Sequence, residues 1–284
     1  MLKTQSLTPH QYDIIINKYT EQPFTGRYND LDENGKYICR NCATPLFKAD
    51  SKFISTCGWP SYDLHIDDNV KTLQDADGRR TEILCNNCDA HLGHIFHGEG
   101  LTKLNTRYCV NSASVDFIPS EDFGYTQEII VAAGCFWGVE HYLKKLDGVL
   151  LAESGYCGGD DPNPDYKKVC SGATDYLEVV RVIFDEDKLS LNNLLKYFFE
   201  IHDFEQINGQ GPDIGKQYKS AIFCYTEDQK NTAKNITNIL SDKGYKVATE
   251  IRDMKPYYIA EDYHLDYYMR NGSIPYCHKH QKIF

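Results

Sequence analysis

The sequence predicts two domains of different class: an N-terminal half of mostly antiparallel β structure around a structural zinc ion, and a C-terminal α/β half. Three observations predict it. Two Cys-x-x-Cys pairs, Cys39 with Cys42 in CRNC and Cys85 with Cys88 in CNNC, stand in the first half. Strand-like pieces there (GKYICR, TEILC, NTRYCVNSASVDFI) alternate with the turn signals DENG and DADG. In the second half, β-branched apolar runs alternate with helical periodicity, the pattern of helices laid on a sheet.

Taken in order, TPHQYDIIINKYT reads as a helix with Thr8 as cap and Pro9 at its first position, where proline loses no hydrogen bond. The two knuckles can present four thiolates tetrahedrally to zinc; the long gap between them predicts a β subdomain looping out. A pair of redox Cys-x-x-Cys motifs is the alternative, although neither opens a helix after a strand. PSEDFGYTQ, residues 119–127, reads as a short linker between domains 1–118 and 128–284. Beyond it, EIIVAAG, EVVRVIFD and KSAIFCY read as strands. VEHYLKKLDG, LSLNNLLKYFFEIH and DQKNTAKNITNILSDKG read as helices, the first with Val139, Leu143 and Leu146 on one face. Ser190 followed by Asn193 is a weak capping signal.

At 284 residues each half can bury its own core, and a net charge of −11 argues against nucleic acid or an anionic membrane surface as the partner. No apolar run of about 18 residues predicts a membrane span. MLKTQSLTPHQYDIIINKY lacks the features of a signal peptide, so a cytoplasmic, reducing location is expected. Eleven cysteines in that setting point to metal binding or redox chemistry rather than a disulfide framework.

Several side chains then stand out. His91 and His94 in HLGH have a spacing that suits a metal site on a helix, but four thiolates already satisfy zinc, which frees them for proton transfer. Core hydrogen bonding is the plainer reading of any single histidine. Arg107 precedes Cys109 by two residues, so on a strand both face the same way and the guanidinium should lower the thiol pKa. In GCFWG, Cys135 follows a strand and opens a helix, whose N-terminus favours thiolate. The flanking glycines imply close backbone approach or unusual dihedrals.

CRNC, CGWPSY, CNNCDAHLGHIF and RYCVNSAS together closely resemble methionine sulfoxide reductase B over roughly residues 6–118. GCFWGVE, NPDYKKVCSG, QGPDIGKQYKS and AEDYH resemble methionine sulfoxide reductase A. The resemblance implies a bifunctional B–A fusion that reduces the R and S epimers of free or protein-bound methionine sulfoxide, is recycled by a thioredoxin-type reductant and uses no organic cofactor. It implies a ferredoxin-like roll for the second half.

By the same resemblance Cys135 attacks the sulfoxide sulfur, Glu178 protonates the oxygen, Tyr166 and Tyr218 hydrogen-bond that oxygen, Asp213 supports the pocket and Cys277 resolves the sulfenic acid. Phe136 and Trp137 would hold the substrate methyl. In the B half Cys109 is the nucleophile, Cys57 the resolving thiol, His91 and His94 handle the proton, Asn111 and Arg107 shape the thiolate site, and Trp59 holds the methyl. The chain departs from the A pattern at DYLE, residues 175–178, where GHAE is usual, and at Pro212, Lys216 and Lys219. Cys157, Cys170 and Cys224 are left as buried thiols, and His97 as a surface residue. A zinc-stapled interaction module joined to a thiol oxidoreductase, or a peroxidase, would also account for the cysteines, but not for the aromatic residues beside them.

Overall fold

The computed structural model describes residues 7–75, 78–119 and 126–284. The chain divides into two units, Met1–Phe123 and Gly124–Phe284; residues 120–125 of the segment read as a linker lie outside the described residues.

In the first unit Thr8 caps α1 (Pro9–Ile15) as expected: its hydroxyl accepts from Gln11 N while the Gln11 side chain accepts from Thr8 N. Strand β1 (Lys36–Cys39) lies between β2 (Pro45–Lys48) and β9 (Val115–Ile118) in an antiparallel sheet. A second antiparallel sheet has six strands: β3 (Lys52–Phe53), β4 (Ser61–Tyr62), β5 (Val70–Gln74), β6 (Thr81–Cys85), β7 (His91–His97) and β8 (Thr106–Val110). Their order is β3-β4-β8-β7-β6-β5. An aromatic core fills this unit, with Tyr37, Phe47 and Tyr62 fully buried and Phe47 stacked on Tyr62. HLGH lies on strand β7, not on a helix, which corrects the setting expected for its histidines.

The second unit is built on β10 (Thr126–Ala133), β11 (Val149–Cys157), β12 (Leu177–Asp185) and β15 (Ser220–Cys224), in the order β15-β10-β12-β11 with every neighbouring pair antiparallel. Strand β16 (Glu250–Asp253) extends the sheet parallel to β15, and β17 (Tyr258–Ile259) pairs with β11. Side chains alternate along β10: Ile129, Val131 and Ala133 meet the core to which helices α2 (Phe136–Leu143), α4 (Leu191–Glu200) and α5 (Glu227–Asp242) contribute, while Ile130 and Ala132 pack with Phe223, Met254 and Tyr257. Burial on both faces explains why β10 reads as an unbroken apolar run. Ser190 does cap α4, accepting from Asn193 N. Helix α2 stops at Leu143, and Leu146 reaches the core edge from the following turn. Among the described residues no helix is long and apolar enough to cross a membrane.

Candidate active sites and a cysteine cluster

Sheet register assembles the first site. Cys109 on β8 lies opposite Ser61 on β4 and His94 on β7, and His94 lies opposite Glu82 on β6. Directly opposed residues share a face, so Ser61, Cys109, His94 and Glu82 form one row across four strands. His91 and His94 would face opposite ways in a regular strand. Between Ile83 and Leu84 the partner on β7 jumps from Gly93 to His91, so Leu92 is the extra residue of a bulge. The two imidazoles meet, with ring centroids 5.5 Å apart. Gly93 permits this at φ +152°, and a side chain there would overlap the Cys109 carbonyl oxygen.

His91 Nδ1 lies 2.7 Å from Glu82, and burial lowers its pKa despite that carboxylate. Its buried Nε2 has no hydrogen-bond partner among the described residues. His94 Nε2 contacts Asp75 at 3.1 Å. Sequence reasoning missed Glu82 and Asp75, because only the register brings them to the histidines.

The Cys57 and Cys109 sulfurs lie 3.8 Å apart. Arg107 does act to lower the Cys109 pKa, but the Cys57 sulfur and burial outweigh it and push that thiol up. Cys57 shifts the other way, down to about 4, through the Cys109 sulfur and, against burial, the Ser55 and Ser61 hydroxyls. Arg107 also pairs with Glu99 through Nε and Nη2 at 2.7 and 2.8 Å and lies over Phe96. Asn111 makes its hydrogen bonds to backbone: Oδ1 accepts from Glu21 N and Nδ2 donates to Leu92 O. The Glu21 carbonyl in turn accepts from Trp59 Nε1 at 3.1 Å, so Asn111 steadies the indole at one remove. Trp59 lines a groove of about 420 Å³ with Phe24, Leu31, Phe53, Ile54 and Ser55. His97 is exposed, as expected.

Cys39, Cys42, Cys85 and Cys88 gather with all four sulfurs within 4.8 Å of one another, a group able to hold a metal ion. The Cys39–Cys88 and Cys42–Cys85 separations are 3.7 and 3.6 Å.

In the second unit Cys135 occupies the N-cap of α2. Its helix position alone does not make a thiolate: the neighbouring Cys277 thiol and burial push its pKa up, opposed by the Trp137 backbone N–H. Glu178, on β12, is 2% exposed and accepts from Phe136 N–H at 3.1 Å. Burial, with Cys135 and Asp213 nearby, raises its pKa well above the carboxylate range, which favours the protonated acid. Phe136 is buried, its ring 5.0 Å from that of His264. Trp137 is half-buried, stacks on Tyr267 at 3.7 Å and donates to His264 Nδ1 at 3.0 Å. His264, in AEDYH, was not singled out from the sequence as the residue that orients this indole.

The Cys170 thiol interacts with both Tyr166 and Tyr218, and burial is the main cause that raises the pKa of each of the three. Cys170 is therefore a half-buried thiol among the site tyrosines, not a core thiol; Cys157 and Cys224 are buried, each pushed up to about 12 chiefly by desolvation. Asp213 accepts from the Tyr276 hydroxyl at 3.2 Å, next to Cys277. The glycines around CFW let this C-terminal segment approach. A side chain at Gly134, φ +85°, would overlap Gln210, whose Nε2 donates to the Cys277 carbonyl; one at Gly138 would overlap the His278 ring. At DYLE, Tyr176 is buried and its hydroxyl donates to the Asp161 carbonyl.

A family model described as peptide methionine sulfoxide reductase matches residues 127–284, and one described as SelR domain matches residues 7–119. The peptide methionine sulfoxide reductase MsrA of Trichodesmium erythraeum is 43% identical over 152 residues, which is 52% of this chain and 86% of the relative. That of Haloquadratum walsbyi is 45% identical over 151 residues, covering 53% and 87%. Reduced Mxr1 from Saccharomyces cerevisiae matches with a TM-score of 0.53 at 36% identity, covering 57% of this chain and 96% of that one.

Proposed function

The chain belongs to the peptide methionine sulfoxide reductase family through its C-terminal unit and carries a SelR domain in front of it, and from that premise we propose how each unit works. The protein reduces both epimers of methionine sulfoxide, the A-type unit taking S and the B-type unit R. The observation that carries the division of labour is a pair of adjoining thiols in each unit, Cys57 with Cys109 and Cys135 with Cys277.

In the second unit Glu178 donates its proton to the sulfoxide oxygen as the Cys135 sulfur attacks the substrate sulfur. Oxygen passes to Cys135, two electrons pass to the substrate, and methionine leaves behind a cysteine sulfenic acid. Tyr166 and Tyr218 bind the oxygen, Phe136 and Trp137 enclose the methyl group, and Asp213 supports the pocket. Cys277 then displaces the sulfenic oxygen as water and forms a disulfide, which a thioredoxin-type dithiol reopens. In the first unit Cys109 attacks, His91 and His94 transfer the proton, Cys57 resolves, Trp59 holds the methyl, and Arg107 and Asn111 set the surroundings.

The four clustered cysteines fit zinc. Zn–S bonds of about 2.3 Å in a tetrahedron place the sulfurs about 3.8 Å apart, and the 3.6 and 3.7 Å separations support that reading. Bound zinc would crosslink the β1–β2 and β6–β7 turns and contribute to folding. The antiparallel order β15-β10-β12-β11, with α2, α4 and α5 sharing one core, supports a ferredoxin-like roll. Domain limits of 1–118 and 128–284, a cytoplasmic location and action on free or protein-bound substrate belong to the same proposal.

Racemic methionine sulfoxide reduced with dithiothreitol and resolved by epimer tests it. Cys135→Ser should lose only S reduction and Cys109→Ser only R reduction. Loss of neither, or equal loss of both in each variant, refutes the assignment.

A further inference from the structure

We propose that His278 is the general base that takes the proton of Cys277 when the disulfide forms, a step that rests on Cys277 being the resolving thiol as proposed above. His278 is 4% exposed and follows Cys277 in the chain. Its Nε2 lies 2.6 Å from the Ala133 carbonyl oxygen. A carbonyl only accepts, so Nε2 carries the hydrogen and, in the neutral ring, Nδ1 carries the lone pair. Nδ1 lies 3.1 Å from Cys277 Sγ. The tautomer and the aim are thus fixed by the end of β10, the strand that leads to Cys135 itself. Gly138 leaves the room the ring needs, since a side chain there would overlap Nδ1.

The groups facing this residue are Cys277 beside it, the Tyr142 hydroxyl of α2, Asp213 of β14 (Asp213–Ile214) and His202 after α4. Burial lowers the imidazole pKa to about 4, so the ring waits neutral at working pH. An imidazolium need not accumulate. Nδ1 takes the Cys277 proton as the sulfur attacks the sulfenic sulfur of Cys135; the S–O bond breaks, and the departing hydroxide takes a proton from Nδ1–H. One disulfide and one water form, and the ring is neutral again.

The test is a single turnover of the full-length protein without reductant, following methionine release and disulfide formation separately. His278→Gln keeps an amide N–H able to reach the Ala133 carbonyl but offers no basic nitrogen. We expect methionine release within about twofold of wild type, disulfide formation slowed about tenfold or more at pH 7, and a dimedone-trappable sulfenic acid on Cys135. Disulfide formation at the wild-type rate, or a parallel fall in methionine release, overturns the proposal. Cys277→Ser separates it from the underlying reading: a Cys135 disulfide that still forms with another thiol removes Cys277, and His278 with it.

Discussion

Replacing Glu178 by glutamine should make the protein more stable and nearly inactive toward the S epimer. The carboxyl is 2% exposed, and burial raises its pKa well above 4.5. The folded state therefore keeps a proton that the unfolded chain releases above about pH 4.5. This group's contribution to stability is full below that pH and is lost as pH rises toward the folded value. Each pH unit above the unfolded value at which the folded state still holds the proton costs about 1.4 kcal/mol of stability. Glutamine can still accept from Phe136 N–H and carries no such cost. Denaturant unfolding read by Trp137 fluorescence, in a Trp59→Phe background, should show Glu178→Gln more stable at pH 7 by an amount that vanishes near pH 4.5. S-epimer turnover should fall by about 10²–10⁴, the usual loss when a general acid is removed. A variant no more stable than wild type at pH 7, or a difference that does not grow between pH 4.5 and 7, refutes the protonated carboxyl.

Metal analysis should find about one equivalent of zinc, and stripping it with a chelator should lower the unfolding midpoint of the N-terminal unit while leaving S-epimer turnover in place. Glu82→Gln removes the charge at His91 Nδ1 and should lower R-epimer kcat by about tenfold or more with S turnover unchanged; equal rates would show that the His91 pairing is idle. Gly93→Ala, which drives a methyl group into the Cys109 carbonyl, should abolish R reduction and spare S reduction; both are read by epimer-resolved chromatography. Thr8→Ala should cost about 1 kcal/mol in unfolding of the first unit, since both halves of its capping exchange are present.

What was legible in the sequence was local. Thr8, Ser190 and the two Cys-x-x-Cys turns act within a few residues of themselves, and the apolar run of β10 reports its own burial. His91 and His94 were expected to share a face for the wrong reason: their spacing was read as one helix face, whereas they lie on a strand, where odd spacing separates side chains and only the extra residue at Leu92 brings them together. The thiol electrostatics were misjudged for a related reason. A helix end or an arginine two residues away can be read from the chain, but the sulfur that dominates each cysteine comes from a distant segment. Arg107 also bonds Glu99, and Cys170 lies beside Tyr166 and Tyr218 rather than in the core, both set by tertiary placement.

The row from Ser61 through Cys109 and His94 to Glu82 runs perpendicular to the strands that supply it. Each member comes from a different strand, and none is brought to its neighbour by local chain geometry. A nascent or partly melted N-terminal unit therefore has no half-working version of this centre. R-epimer turnover is a built-in gauge of how much of the chain has its four strands zipped in register, and it should disappear in step with backbone amide protection of β6 through β8.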